Sequence, residues 1–377
     1  MRLNTEKFIK PEPERDVLFV FGAGASISEG APLQSDILKL IFNPSEKELI
    51  SSDAANEVRN FIRENFYISN ECYPSLESIF GYLDYFINKR ESLGAKYPRN
   101  KILEIKEALV RLIHYVISKP IKKLHSTYRK FWESVSSTNR NVSVITMNYD
   151  TLLDESFDFL YPDKAYIDYC IELMNYHHYD SISASDWWIN PREPVPVWDG
   201  GDPKPIKLIK IHGSLNWKYC NCCNQVLLTA WDTKIDLTSM GFKGYIHASC
   251  ENPTTKEFDL VCPLDGNKFE TFIVPPSHIK ELDHPAINKL IDEAGIEIRK
   301  AKKIVFIGYS FPDADVHLKA LFKKNIAPKN SEIHVVDPFL NDTIKTNYRS
   351  LSDNMIFYEK SFEEFINDNL KQAILIV

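Results

Sequence analysis

Asp16–Ser26 reads DVLFVFGAGAS. An apolar strand runs straight into a glycine-rich turn, and the residues after the turn can open a helix. Three later stretches repeat the pattern: Val144-Ile145-Thr146-Met147-Asn148-Tyr149-Asp150, Ile209-Lys210-Ile211-His212-Gly213-Ser214 and Ile304-Val305-Phe306-Ile307-Gly308-Tyr309-Ser310. Each is an apolar or β-branched run that stops at small or polar residues. In an open parallel sheet such stops lie along one edge, where ligands bind. The four ends predict a single nucleotide site that carries chemistry, offering Gly, Asn, Asp, His and Ser.

Working outward, the first strand covers Val17–Phe21 and its helix begins near Ser26, whose hydroxyl is placed to cap the first turn. From Ala31 to Trp132 the pattern is helical. Leu76, Ile79, Phe80, Leu83 and Ile87 recur at helix spacing, as do Ile102, Ile105, Leu109, Leu112 and Val116. This layer separates the first strand from the second, Val142–Met147. A stretch rich in Tyr, Trp and Pro (161–207) leads to a strand at Ile206–Ile211. Cys220–Cys262 shows little regular pattern. A helix at Ile287–Lys300, a strand at Lys303–Ile307, a helix at Asp315–Lys324 and a strand at Glu332–Val336 follow. Phe362–Val377 reads as an amphipathic helix with an apolar end.

The chain has 377 residues, 44% of them apolar and 12% aromatic, enough for a substantial core. A formal net charge of -7 argues against nucleic acid as a direct partner. The N-terminal residues lack the apolar stretch of a signal peptide, and no run has the length of a membrane span. These features predict a cytoplasmic chain with no membrane partner. Four of the seven cysteines fall within Cys220–Cys250, which suits a metal or local packing better than a disulfide framework.

Each candidate residue carries two readings. Gly22 and Gly24 let a backbone approach a pyrophosphate, with the helix N-terminus behind it, or they form a tight turn without a ligand. The third glycine of the dinucleotide fingerprint is replaced by Ile27, and no Walker Gly-Lys-Ser/Thr follows. Asn148 either holds a ribose or a water, or satisfies backbone groups at its strand end. Asp150 either favours a developing cation or caps the next helix. His212 either takes a proton near neutral pH or serves a strand-end turn. Asp337 accepts from a ribose diol or turns the chain before Pro338. Asp313 and Asp315 read as helix caps. Cys220-x-x-Cys223 is one metal knuckle. Cys250 and Cys262 would complete four ligands, although they are too far apart for a knuckle, and His247-x-x-Cys250 is the nearest substitute. A vestigial site without metal is the other reading.

Taken together, the strand ends resemble the sirtuin superfamily. Gly22-Ala23-Gly24-Ala25-Ser26 with Gly30-Ala31-Pro32 resembles its nucleotide loop, and Thr146-Met147-Asn148-Tyr149-Asp150 its Thr-x-Asn-x-Asp motif. His212-Gly213 resembles its catalytic His-Gly, Cys220-x-x-Cys223 the start of its zinc ribbon, and Gly308-Tyr309-Ser310 its ribose-contacting Gly-x-Ser. The resemblance spans residues 16–340. It departs where Leu33-Gln34-Ser35 replace Asp-Phe-Arg and where Met147 replaces the Gln before Asn148. Those departures turn it away from protein deacylation. The Asn-Tyr-Asp and Gly-Tyr-Ser forms and the helical insertion look more like the bacterial sirtuin-like NAD-depleting enzymes of anti-phage defence.

The resemblance implies an α/β fold, a Rossmann-like parallel sheet flanked by helices within a single sirtuin-like domain (1–377). It implies a helical insertion at 31–135, a small zinc-ribbon-like insertion at 218–270, a return to the sheet at 271–340 and a tail at 341–377. The implied activity is NAD glycohydrolysis, with NAD as substrate. Asn148, His212 and Asp150 carry the catalysis. Gly22, Ala23, Gly24, Ser26, Pro32, Gly308, Ser310 and Asp337 bind NAD. A zinc on Cys220, Cys223, Cys250 and Cys262 would be structural. NAD-dependent deacylation or ADP-ribosyl transfer is the alternative, and a non-catalytic NAD or ADP-ribose sensor another. A toxic activity needs a gate, which implies a homo-oligomer, a separately encoded partner, or both; the partner is first a HerA-type hexameric ATPase, second a short Argonaute. The tail, the helical insertion and the aromatic stretch near Trp187-Trp188 are the candidate contact surfaces.

Overall fold

A parallel strand covered on both faces needs apolar side chains along its whole length, and Val17–Phe21 meets that need. The computed structural model describes residues 5–69, 72–118, 126–174, 188–190, 193–229, 234–237, 241–246, 256–277, 284–312, 315–326 and 331–375. In it the strand Arg15–Phe21 lies inside an eight-stranded sheet, and Val17–Phe21 are fully buried. Across the sheet the order is Met355–Tyr358, Glu332–Val336, Ala301–Ile307, Arg15–Phe21, Val142–Thr146, Lys204–Lys210, Ala165–Asp168 and Trp188–Ile189. Every neighbouring pair is parallel. The first strand sits between two later ones, so the chain winds away from it in both directions. That is the topological switch point at which open α/β sheets bind ligands. Register levels the ends there: Phe21 stands beside Thr146 and Ile307, Thr146 beside Lys210, and Ile307 beside Val336.

Helices flank this sheet. Phe21 meets Phe131 of the helix Thr127–Thr138 and Phe362 of the helix Phe362–Asp368, with ring centroids 5.3 and 5.4 Å apart. The helices Pro285–Lys300 and Val316–Ile326 supply the other layer. Beneath the sheet, away from the switch point, the buried Arg15 pairs with Glu297 at 2.9 Å. Burial alone would raise the Glu297 carboxyl, but Arg15 and Lys207 bring it below its ordinary value.

The helical pattern between the first two strands resolves into Gln34–Phe42, Lys47–Ser51, Asp53–Asn65, Leu76–Lys89, Arg99–Ile117 and Thr127–Thr138. Ser52, Ser75 and Ser126 cap three of these, accepting from Ala55, Ser78 and Arg129 amides. The stretch after Lys210 is more regular than its sequence suggests. Glu270–Ile273, Gly213–Tyr219 and Val226–Leu228 form one antiparallel sheet, and Lys234–Asp236, Gly241–Ile246 and Lys256–Leu260 another. Gly213–Tyr219 does alternate Leu215, Trp217 and Tyr219 with polar residues, while Val226–Leu228 and Lys234–Asp236 are too short to show a period. They do not pack alone. Leu215, Cys220, Leu227, Phe242, Leu260, Cys262 and Phe269 share a second core with Ile79, Phe80, Leu109 and Leu112 of the helices. The helical layer and the cysteine-rich stretch, separate in sequence, are one packed unit.

Burial bears on two further expectations, although Leu375 at the tail's apolar end is exposed. The tail folds as Phe362–Asp368 and Leu370–Ile374, and its apolar residues Phe362, Phe365, Ile366, Leu370, Ala373 and Ile374 are buried in the sheet core. Trp188 is also buried, in an edge strand; Trp187 lies outside the described residues, as do 376–377. Among the described residues no helix is long and apolar enough to cross a membrane.

Candidate active site

At the end of the first strand, Gly22 caps a 3-10 helix over Ala23–Glu29. The helix therefore begins three residues before Ser26, and Ser26 is not its cap. The glycines serve a second close approach. The Gly22 amide donates to Ile307 O at 3.0 Å and the Gly24 amide to Gly308 O at 2.9 Å. A Cβ on Gly22 would stand 2.5 Å from Gly308 O, and one on Gly308 (φ +61°) would stand 2.2 Å from the Ala25 amide. The Gly-x-Gly and Gly-Tyr-Ser turns interlock backbone to backbone, a contact that side chains would block. Gly22 stands behind this junction, while Ala23, Gly24 and Ser26 face the cavity beside it.

Freed from capping, Ser26 becomes a hub. Its Oγ donates to Asp150 Oδ2 at 2.9 Å, and it accepts from Asn148 Nδ2 at 3.1 Å and from the Tyr128 hydroxyl at 2.8 Å. Burial holds the Tyr128 phenol well above its ordinary value, so it stays protonated and donates. One donor and two acceptor positions exhaust a hydroxyl. Asn148 Nδ2 gives its other proton to Gly22 O at 3.0 Å, and a carbonyl partner fixes which way the amide points. Its Oδ1 keeps acceptor capacity for a ligand.

Asp150 is not the cap of the next helix, since Thr151 takes the N-cap position of Leu152–Glu155, but its carboxylate holds the turn before it. Oδ1 accepts from the Leu152 amide at 3.2 Å, turning the chain into the next helix, while Oδ2 holds Ser26. Burial raises the Asp150 carboxyl and Lys210 counters in part. The buried Lys210 ammonium donates to Asp150 O and to Asp154 Oδ2, both at 2.8 Å. A cation is thus fixed beneath this end of the site.

His212 lies where one strand changes sheets. Lys204–Lys210 belongs to the parallel sheet and Gly213–Tyr219 to an antiparallel one. The turn needs φ +80° at Gly213, and a Cβ there would stand 2.1 Å from Phe272 O. The glycine of His-Gly is required by this handover. The His212 carbonyl accepts from the Val274 amide at 2.8 Å, and the Tyr149 hydroxyl donates to Val274 O at 2.7 Å, which joins the Asn148 and His212 turns. Asp315 is not merely a helix cap. It is buried, accepts the Tyr309 hydroxyl at 2.8 Å, and its other oxygen stands 3.8 Å from His212 Nε2. His317 comes near the same imidazole, with ring centroids 5.8 Å apart. Asp313 lies outside the described residues. Sequence reasoning missed the Asp315–His317 pair, whose signal is an Asp-x-His that follows Gly-Tyr-Ser after the four residues Phe311–Ala314.

One cavity of about 480 Å³ joins these ends. Ala23, Gly24, Ser26, Pro32, Asn148, Asp150, His212, Gly308, Ser310 and Asp337 all line it. Asp337 is buried and held above its ordinary value by that burial; one carboxylate oxygen accepts from the Phe339 amide at 2.8 Å, the turn reading, while the residue still faces the cavity. Ile37, Leu76, Glu77, Ile113 and Ile117 of the helical layer line the same space, as do Met147 and Phe339. Gln34 and Glu77 meet at 2.5 Å on that wall. Apart from Gln34, which belongs to Leu33-Gln34-Ser35, none of these helical residues carried a motif, so only packing reveals them.

The cysteine cluster is seen in part. Cys250 and His247 lie outside the described residues. Cys220, Cys223, Cys262 and Asp265 present ligand atoms within 4.8 Å of one another. The second arm is Cys262-x-x-Asp265, and the two arms repeat one turn. Cys220 O accepts from Asn224 N, and Cys262 O from Gly266 N, both at 2.8 Å. Asn224 (φ 60°) and Gly266 (φ 74°) are both left-handed. Three sulfurs and a carboxylate fit a tetrahedral zinc. Burial pushes the Cys262 thiol up to about 12, while the Asn267 amide, first among several donors, holds Asp265 at about 2. The Cys-x-x-Asp spacing was visible in sequence, but attention to cysteine alone passed over it.

No family model matches the chain, and no curated protein matches it. Among solved structures it is similar to Sir2Tm bound to a propionylated peptide, at 12% identity over 96% of this chain and 94% of that one, with a TM-score of 0.41. It is similar also to a structure described as the structural basis of sirtuin substrate affinity, at 12% identity over 94% and 93% of the two chains, again with a TM-score of 0.41. The α/β assignment, an eight-stranded parallel sheet flanked by helices, stands on the strand register itself.

Proposed function

We propose that this chain cleaves the bond between nicotinamide and ribose in NAD and passes the ADP-ribosyl group to water. The observation that carries the reading is that Asn148, His212 and the interlocked glycine turns line one cavity at the switch point of the sheet. In the reaction the C1′–N bond breaks and both electrons go to the nicotinamide nitrogen, neutralising its ring. Water forms the new C1′–O bond and loses a proton. The transition state is oxocarbenium-like, so positioning and charge matter more than a strong nucleophile. Asn148 Oδ1 holds the ribose or the water, while Gly22 and Ser26 fix the amide. His212 accepts the proton. Asp150 faces the positive charge that develops. Ala23–Ser26, Pro32, Gly308 and Ser310 bound the dinucleotide, and Asp337 faces the adenine-side ribose.

The thiol–carboxylate cluster would hold a zinc that cross-links its two turns, a structural role at a distance from the reaction. The helical layer on the cavity wall, together with Leu33-Gln34-Ser35 and Met147, favours hydrolysis over acyl-lysine chemistry. An NAD-consuming activity needs restraint. The reading includes a cytoplasmic defence effector gated by self-assembly, by a partner, or by both, the partner being a HerA-type hexameric ATPase first and a short Argonaute second. With the tail and Trp188 buried, the helical layer is the surface that supports such a contact; Ile50, Tyr67 and Tyr85 are exposed on it.

The test is NAD, nicotinamide and ADP-ribose measured by mass spectrometry in cells expressing the chain, with and without its genomic neighbour. NAD falls with the wild type, and Asn148→Ala or His212→Ala slows the loss by about a hundredfold or more. Unchanged NAD under every condition, or full activity in both variants, overturns the reading. O-acyl-ADP-ribose formed from acylated peptide would move it to deacylation.

A further inference from the structure

We propose that His212, Asp315 and His317 form a second metal site, which takes a divalent cation of the zinc class and silences the cavity when filled. Each residue offers one ligand atom, and the three atoms lie within 4.8 Å of one another. Two imidazoles and a carboxylate suit zinc and its late first-row neighbours rather than magnesium or calcium, which prefer all-oxygen sites. The His212 Nε2 to Asp315 Oδ1 separation of 3.8 Å is too long for a hydrogen bond. Two ligands on one tetrahedral zinc stand roughly 3.4 Å apart. The gap is closer to that of two groups sharing an ion than to direct contact, and a shift of a few tenths of an ångström closes it.

The site is held from outside. Asp315 keeps one oxygen on the Tyr309 hydroxyl at 2.8 Å, and its amide donates to Pro312 O at 2.8 Å. The Tyr309 carbonyl in turn accepts the buried Tyr348 hydroxyl. His212 is fixed through its carbonyl on Val274 N. A carboxylate anchored by an outer hydrogen bond is the usual support of a metal ligand. His317 is the second residue of the helix Val316–Ile326, two positions after Asp315. His212 and Asp315 both line the cavity, so a bound cation would present its remaining position to the ligand space.

The consequence rests on the reading of His212 as proton acceptor. The imidazole lone pair that takes a proton from water is the one a cation would occupy, so metal and catalysis compete. The rival account is that Asp315 simply orients His212 by charge, which gives His317 no part.

The test uses the full chain with its thiol cluster loaded with zinc, then titrated with further zinc. Bound metal is counted by elemental mass spectrometry and affinity is followed by calorimetry. Wild type takes one additional equivalent. His317→Gln and, separately, Asp315→Asn weaken that step by about ten- to a hundredfold, with the first, thiol-held equivalent retained as proof of folding. In the NAD assay micromolar zinc inhibits wild type and a chelator restores it. His317→Gln raises the half-inhibitory concentration by about tenfold or more without changing the rate in the absence of zinc. A wild type that takes no additional equivalent, or variants that bind it as tightly, overturns the site. Zinc binding that depends on His317 in a chain that never cleaves NAD would keep the site and remove the catalytic reading.

Discussion

The molecule has two hydrophobic cores, and they are built differently. The sheet core is laid down by strands that are apolar along their whole length, closed by helices that meet it ring to ring. Its buried ions, Arg15 with Glu297 and Lys210 with Asp154, are paired at 2.8–2.9 Å. The second core joins amphipathic helices to short strands, and two of the buried residues in it, Cys220 and Cys262, belong to the thiol–carboxylate cluster that could hold a metal. It also buries His114, which meets Thr271 Oγ1 at 3.0 Å, and Lys218. The first core follows from long-range strand pairing and is self-sufficient. On the reading that the thiol–carboxylate cluster holds zinc, the second is pinned by that metal. The cavity lies on the seam between them: Asn148 and Asp150 hang from the sheet, the helices wall it with Ile37, Leu76 and Ile113, and His212 stands at the handover.

The sharpest way to break this comparison is to take the pin away. Chelation, or Cys262→Ser, is expected to cost the second core on the order of 5 kcal/mol. Hydrogen exchange should then speed in the helices Leu76–Lys89 and Arg99–Ile117 while the strands Arg15–Phe21 and Ala301–Ile307 stay protected. Uniform loss of protection would mean that the two cores are one cooperative unit.

The converse variant strikes the sheet side. Gly308→Ala forces a Cβ to 2.2 Å from the Ala25 amide at a φ of +61°, and neither backbone can yield without separating two strand ends. The expected loss is about 3 kcal/mol in chemical denaturation, with NAD turnover lost as the turns part. A variant of wild-type stability would show that the interlock is not needed.

The smallest effect sharpens the contrast through pH. Burial first, and the Lys218 charge second, hold His114 well below its ordinary value. The folded chain keeps this imidazole neutral while the unfolded chain protonates it near 6.5. Its contribution is therefore complete above that pH and is lost as pH falls below it. Between pH 7 and 5 the wild type should lose about 1–2 kcal/mol more than His114→Gln. The extra exchange should appear in Arg99–Ile117. Equal pH slopes in the two proteins would remove His114 as the cause.

Much of the site was legible because its residues sit at strand ends. A strand end combines a strong apolar run with an abrupt stop, and both are local signals. Asn148, His212, Gly308 and Asp337 were found that way. Ser26 was found for the wrong reason: a cap was expected, but the helix begins at Ala23, which turns the hydroxyl toward Asp150 and Asn148. Asp315 was set aside as a cap because capping is the commonest use of an Asp before a helix. Its nearness to His212 is a contact between distant segments, which no local pattern encodes. Asp265 was missed for a related reason: Cys262 stands three residues before it, but Cys220 and Cys223 come from a distant turn.

By itself the sequence determined the strand ends, their order along the chain, the helical layer and the first metal knuckle. Those follow from periodicity and from turn chemistry, which act over a few residues. Tertiary structure alone decided which ends share a cavity, that the helical layer and the cysteine-rich stretch form one core, and that the tail is spent inside the other. Burial of apolar surface does not record which segments it joins, so those pairings exist only once the chain has closed.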